Sequence, residues 1–163
     1  TPSWEGRHTT DLVGKYPLQM ISTHPRYSFH SYSDGKDSTI NDISDHRMLI
    51  DGYYYWTMRI NPADAARRGI THRSIIRVFN DRGSVLCAAD VSPLVMQGMI
   101  KTFESCAVYE PFDDPRYGRV DRGGNLNLIT PPRNLAKRTS GMGTNSCLVE
   151  VAPWTEPDVL AAE

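Results

Sequence analysis

The sequence predicts a mainly β domain with short helices that closes into a barrel, and three observations predict it. Short apolar, β-branched and aromatic runs recur along the chain. Irregular stretches rich in Gly, Pro, Ser and Asp separate them. Helix signals are few, so the strand–helix alternation of a doubly wound sheet is missing. A chain of 163 residues suits one domain and sustains a single core without disulfides or a structural metal.

The elements follow in order. Segment 1–15 is polar and forms a lead-in to a domain over 16–152. Tyr16 to Ser22 (YPLQMIS) is a strand, an apolar run bounded by polar residues. Residues 31–45 are rich in Ser, Asp and Gly and predict a long surface loop, a kind that often carries function. From Met48 to Ile60 the strand signal returns, with Tyr53 to Trp56 on alternating faces and at least half of these aromatics in the core. Asn61-Pro62 then opens a helix of about two turns. Asn61 caps it, Pro62 suits its first turn, and the Ala/Arg run favours it. Asp64 supplies charge near its N-terminus, Arg67 and Arg68 complement the other end, and Gly69 takes a left-handed stop.

Ser74 to Asn80 and Ser84 to Val91 flank Asp81-Arg82-Gly83, a hairpin signature with Gly where a positive φ is wanted. Gly98 to Ala107 is a further strand. Segment 109–124, with Pro111, Pro115, Gly118, Gly123 and Gly124, predicts a turn-rich loop in which Asp113-Asp114 is a solvated turn. Gly123 and Gly124 either permit close backbone approach or simply serve a loop. Asn127 to Thr130 runs into Pro131-Pro132, which ends any regular element. Leu148 to Val151 is the last strand, and the tail 153–163 is expected to be exposed.

Composition removes several classes. Net charge is −1, so no global field draws nucleic acid or anionic lipid. No apolar run approaches the ~20 residues of a membrane span. Cys87, Cys106 and Cys147 are odd in number and widely spaced, against a disulfide framework or a zinc site; Cys87 and Cys147 suit the core. No G-x-S-x-G elbow, G-x-G-x-x-G, P-loop or H-E-x-x-H occurs. The chain begins at Thr1 rather than Met, which predicts a segment processed or cut from a longer polypeptide.

The order of motifs is specific. A strand ends in Ser22-Thr23-His24-Pro25-Arg26, followed by Phe29-His30-Ser31; then come NPADAARRGI, NDRGSVLCAADV and GGNLNLIT. From about Tyr16 to Val151 this succession resembles the C-terminal domain of the dimethyl sulfoxide reductase family of molybdenum enzymes. The stretches DGKDS, DHRMLIDGYYYW, ESCAVYEP and DRGGNLN resemble the branch that transfers hydroxyl groups between polyhydroxylated benzenes. The resemblance implies a six-stranded double-psi β-barrel that closes over molybdopterin guanine dinucleotide, two per molybdenum or tungsten atom. It implies that the metal ligand and the acid/base residues lie in other domains, so no catalytic or metal-ligating residue is assigned here. The family often has Gly and Asp after the helix-end GI, where this chain has Thr71-His72-Arg73-Ser74, so the local turn should differ.

Such a cofactor carries a pyrophosphate, a guanine, sugars and a pterin, all of which need hydrogen-bond partners once buried. Ser22, Thr23 and His24 offer two hydroxyls and an imidazole, and Arg26 a planar fork for phosphate. By the resemblance, His30, Ser31 and Asn127 also meet the cofactor. Alternative readings stand beside these: His24 and His30 as surface or capping histidines, Arg26 as a surface arginine, Asn127 as a cap of the turn before Pro131. The partners implied are the remaining domains of the same polypeptide and an iron–sulfur electron-transfer subunit. Two compartments fit, the cytoplasm or, behind a twin-arginine leader, the periplasm. The competing function is a free-standing double-psi barrel that acts as a protein-interaction adaptor.

Overall fold

The computed structural model describes residues 5–6, 8–26, 46–104, 106, 108–132 and 146–156. Among these, nine strands and two short helices form: α1 (Thr10–Lys15), β1 (Leu18–Thr23), β2 (Arg47–Ile50), β3 (Tyr53–Ile60), α2 (Pro62–Ala66), β4 (Ile75–Asn80), β5 (Gly83–Val91), β6 (Met99–Phe103), β7 (Pro111–Asp114), β8 (Gly118–Asp121) and β9 (Ser146–Pro153). A 3-10 turn spans Leu126–Leu128.

Six strands close on themselves in the order β3-β6-β1-β9-β4-β5, with β5 returning to β3. Two neighbouring pairs are parallel, β1 with β6 and β3 with β5, and the other four are antiparallel. Parallel neighbours need crossing connections, as the double-psi arrangement requires. Closure removes the sheet edges. β2 extends β3 outside the ring, and the β7–β8 hairpin extends β5.

Alternation along the strands fills the barrel. Met20, Trp56, Met58, Ile60, Ile76, Val78, Cys87, Ile100, Cys147 and Val149 form one continuous buried cluster. The two core cysteines are as expected, buried and unbridged. A second cluster lies outside the ring, where Tyr55, Leu86, Ala88 and Val120 pack with Trp154.

The helix at Asn61 is shorter than the two turns expected. Its cap is as expected: the Asn61 side chain accepts from the Ala63 N–H at 2.9 Å, and Gly69 adopts a φ of 67°. In the next turn Arg73 takes the left-handed conformation, with a φ of 66°. Its N–H donates to the Ala89 carbonyl at 2.8 Å and its guanidinium to the Leu49 carbonyl at 2.7 Å, so two anchors hold a conformation that costs a side-chain-bearing residue.

Several expectations are corrected. Gly83 does not have a positive φ; a Cβ there would meet the Leu128 carbonyl oxygen at 2.7 Å, so close approach excludes a side chain. Asp81-Arg82 is more than a turn: Asp81 accepts from Lys15 and from the Tyr16 hydroxyl, and Arg82 grips the buried Glu5 carboxylate at 2.7 and 2.9 Å. Segment 109–124 contains the β7–β8 hairpin. There Asp114 is buried and clamped by Arg116 at 2.9 Å, not solvated. Trp154, in the tail expected to be exposed, is buried against Phe112 and Tyr117. Asp51-Gly52, with φ of 50° and 80°, is a tight hairpin turn between β2 and β3 that the sequence signals and the reading of 48–60 as one run missed.

Candidate functional site

Strand direction decides where the candidate residues go. One end of the barrel collects the C-terminal ends of β1, β4 and β6 and the N-terminal ends of β3, β5 and β9. Ser22 and Thr23 finish β1 at that end, and His24 and Arg26 follow directly. Thr23 lies beside Phe103, and its carbonyl accepts from the Glu104 N–H at 2.9 Å. Pro25 is buried and anchors the segment, Ser22 is half-buried, and Thr23, His24 and Arg26 are exposed. One short stretch therefore presents two hydroxyls, an imidazole and a guanidinium to the outside of the barrel mouth. The imidazole has a fixed neighbour: His24 Nδ1 lies 2.7 Å from the Glu104 carboxylate.

Asn127 belongs to the same end. The 3-10 turn that carries it rests on the start of β5, with Leu128 against Gly83. Asn125, not Asn127, caps this turn, its side-chain oxygen accepting from the Asn127 N–H at 3.1 Å. The capping reading of Asn127 thus passes to Asn125, and the Asn127 side chain is exposed. Asp121 fixes the approach to the turn. Its buried carboxylate accepts from the N–H groups of Glu110 at 2.7 Å, Gly123 at 3.2 Å and Asn125 at 2.7 Å. The reading of the sequence did not single Asp121 out, although an Asp just ahead of Gly-Gly is a known turn signal.

Trp56 joins the two parts. Its indole N–H donates to the Phe103 carbonyl at 2.7 Å, next to the end of β1. A Cβ on Gly124, which has a φ of 81°, would meet the Trp56 Cβ at 2.8 Å. The Cys106 thiol bonds the Gly123 carbonyl at 2.9 Å. A Cβ on Gly123 would meet the Val108 carbonyl oxygen at 2.5 Å, so both close approaches are to the protein's own chain, which decides the role of Gly123 and Gly124. His46, also missed, is buried with its ring 5.2 Å from Trp56 and 6.1 Å from Phe103. His30, Ser31 and the 31–45 loop lie outside the described residues.

The donor set has a definite chemistry. Exposed hydroxyl, imidazole, guanidinium and carboxamide groups suit a ligand that carries phosphates and heterocyclic bases. Buried Pro25, Trp56 and Asp121 hold the backbone beneath them. The chemistry of these groups fits a pterin dinucleotide. Among the described residues no group of three or more His, Cys, Asp or Glu side chains is arranged to hold a metal ion.

Comparison with known proteins agrees with this chemistry. The family model described as "Molydopterin dinucleotide binding domain" matches residues 18–148. The large subunit of pyrogallol hydroxytransferase from Pelobacter acidigallici is 47% identical over 94% of this chain and 17% of its own length. The dimethyl sulfoxide/trimethylamine N-oxide reductase of Cereibacter sphaeroides is 34% identical over 86% of this chain and 16% of its own. The chain therefore spans less than a fifth of these relatives. The structure of acetylene hydratase from Pelobacter acetylenicus superposes on 94% of this chain and 20% of its own with a TM-score of 0.65, at 13% identity, and so shares the fold. The adaptor reading gives way to this agreement: the chain belongs to the molydopterin dinucleotide binding domain family.

Proposed function

We propose that this domain holds molybdopterin guanine dinucleotide, with molybdenum or tungsten, at the end of the barrel formed by Ser22, Thr23, His24, Arg26 and Asn127, joined by His30 and Ser31. On this reading the domain binds and orients, and the cofactor supplies the redox chemistry when bound. Arg26 meets phosphate; the hydroxyls and Asn127 satisfy sugar and base. The whole enzyme transfers or removes hydroxyl groups on polyhydroxylated aromatics, and the remaining domains of the same polypeptide hold the other side of the cofactor. The observation that carries this reading is the 47% identity to a pyrogallol hydroxytransferase large subunit across 94% of the chain. That relative's designation as a large subunit supports a smaller companion here, an iron–sulfur electron-transfer subunit by the reading of the family.

The test uses the full-length enzyme. Arg26→Ala and Thr23→Val variants should retain cofactor roughly tenfold less tightly each, the scale of a lost charge-assisted or buried hydrogen bond. Guanosine monophosphate and pterin released by acid hydrolysis read the retained fraction, and turnover of a trihydroxybenzene reads the activity. Full cofactor content in both variants, even after dialysis, sinks the assignment of this end of the barrel.

A further inference from the structure

We infer that Arg82 is a positioning residue for the cofactor: it fixes the place of Asn127 and ties that place, through Glu5, to the lead-in of the chain; this rests on the reading of Asn127 as a cofactor residue.

Asn127 rides on the 3-10 turn Leu126–Leu128, and that turn is held at three points. Ahead of it, the buried Asp121 carboxylate accepts from the Asn125 N–H. In the middle, Leu128 lies against Gly83, where no side chain fits. Behind it stands Ile129, which closes the turn by donating its N–H to the Leu126 carbonyl at 3.0 Å. Ile129 is fully buried, so its own carbonyl needs donors from the protein. It has two: the Asn80 side-chain amide and Arg82 Nε, each at 2.8 Å. The turn between β4 and β5 is therefore the seat on which the Asn127 turn rests.

Arg82 has other work besides. Its two terminal nitrogens grip the buried Glu5 carboxylate, which also accepts from the Leu148 N–H at 3.4 Å. The Glu5 carbonyl accepts from Gln19 at 3.3 Å, so this part of the lead-in is seated on β1 and β9. Asn80 steadies the arrangement: its side chain accepts from the Arg82 N–H at 3.0 Å and donates to the Leu148 carbonyl at 3.1 Å. A guanidinium is planar and rigid, so its bonds to Glu5 and to Ile129 cannot be adjusted separately. A lysine, one ammonium on a flexible stem, cannot serve both. A buried ion pair adds little net stability, because desolvation offsets the attraction. What this fork supplies is a fixed relation between two segments far apart in sequence. Linkage then makes the relation reciprocal: a ligand held at Asn127 steadies the lead-in, and a seated lead-in favours the ligand.

The experiment uses the full-length enzyme with and without its cofactor. Arg82→Lys should retain cofactor roughly tenfold less tightly, and the milder Glu5→Gln roughly threefold, read by guanosine monophosphate released on acid hydrolysis. In an Asn127→Ala background Arg82→Lys should add less than about twofold, because it acts through that side chain. Hydrogen exchange supplies a reading that a merely structural residue would leave unmoved. In the unmodified enzyme cofactor should slow exchange both at 126–130 and in the lead-in at 5–15. In Arg82→Lys the slowing should persist at 126–130 and stop short of the lead-in. Should Arg82→Lys fail to accumulate, Glu5→Gln carries the same comparisons. Unchanged retention in both variants, an undiminished loss on the Asn127→Ala background, or a lead-in indifferent to cofactor in the unmodified enzyme would each overturn the proposal. Full cofactor content in Arg26→Ala and Thr23→Val sinks the cofactor reading itself; loss there with none in Arg82→Lys and Glu5→Gln sinks this inference alone.

Discussion

Strands β3 and β5 bury both of their faces, and the two sides meet different surroundings. Inside the ring, Trp56, Met58 and Ile60 of β3 meet Val85, Cys87 and Ala89 of β5 in a core enclosed by the strands themselves. Outside it, Tyr55, Leu86 and Ala88 are covered by the β7–β8 hairpin and Trp154. The inner core is mostly apolar, and burial pushes the Cys147 thiol up to about 12 and that of Cys87 higher than its ordinary range. The outer one is edged by cations stacked on rings. The Arg77 guanidinium lies 3.6 Å from the Phe79 ring centre and 3.8 Å from that of Tyr117, and Arg122 lies 4.1 Å from that of Tyr53. Such contacts contribute modestly unless fully desolvated. The contrast teaches that the barrel owes its stability to closure, while its outer cover is a separable layer.

Three experiments break or sharpen that contrast. Trp56→Ala removes the largest inner side chain and its bond to Phe103, and should cost about 3–5 kcal/mol in a denaturant titration. It should also loosen the turn at Gly124 and the end of β1 together. Trp154→Ala strips the cover alone and should cost about 3 kcal/mol, at the low end of the range for losing a large core side chain because it sits at an edge. Hydrogen exchange should then quicken in β7 and β8 and stay slow in β1 and β6; equal loosening of all four would erase the distinction. The smallest effect is acid. Arg116 beside Asp114 holds that carboxyl below the usual carboxylate range. A depressed acid stabilises the folded state above the ordinary range, and that contribution is lost as pH falls through the folded value, below about pH 4. The amides of Arg116 and Tyr117, which donate to Asp114 at 2.8 and 3.2 Å, should lose protection there before those of β4.

The same division governs what the sequence made legible. The inner strands announce themselves, because YPLQMIS, SIIRVFN and SVLCAADV are short apolar runs bounded by polar residues, a local pattern. So does the cap at Asn61, where three signals coincide within a few residues. The outer layer was hidden. Pro111, Pro115 and Gly118 read as loop, yet Pro111 opens an edge strand, where a missing N–H is tolerated. Asp114 looked solvated because its clamp, Arg116, counts only once the hairpin folds. At the candidate site, Ser22 to Arg26 were legible as a contiguous motif. The supports beneath them, Asp121 and His46, act through partners distant in sequence, which no local pattern reveals.

The last strand of the ring has a consequence for how the chain is made. β9 inserts between β1 and β4, which share no pairing without it. While the ribosome has yet to release residues 146–153, both neighbours carry unsatisfied backbone edges, the kind that recruit foreign strands. Assembly of this domain is therefore forced to wait for its final stretch, a non-local closure that is slow by topology and leaves the nascent barrel reliant on protection from aggregation until then.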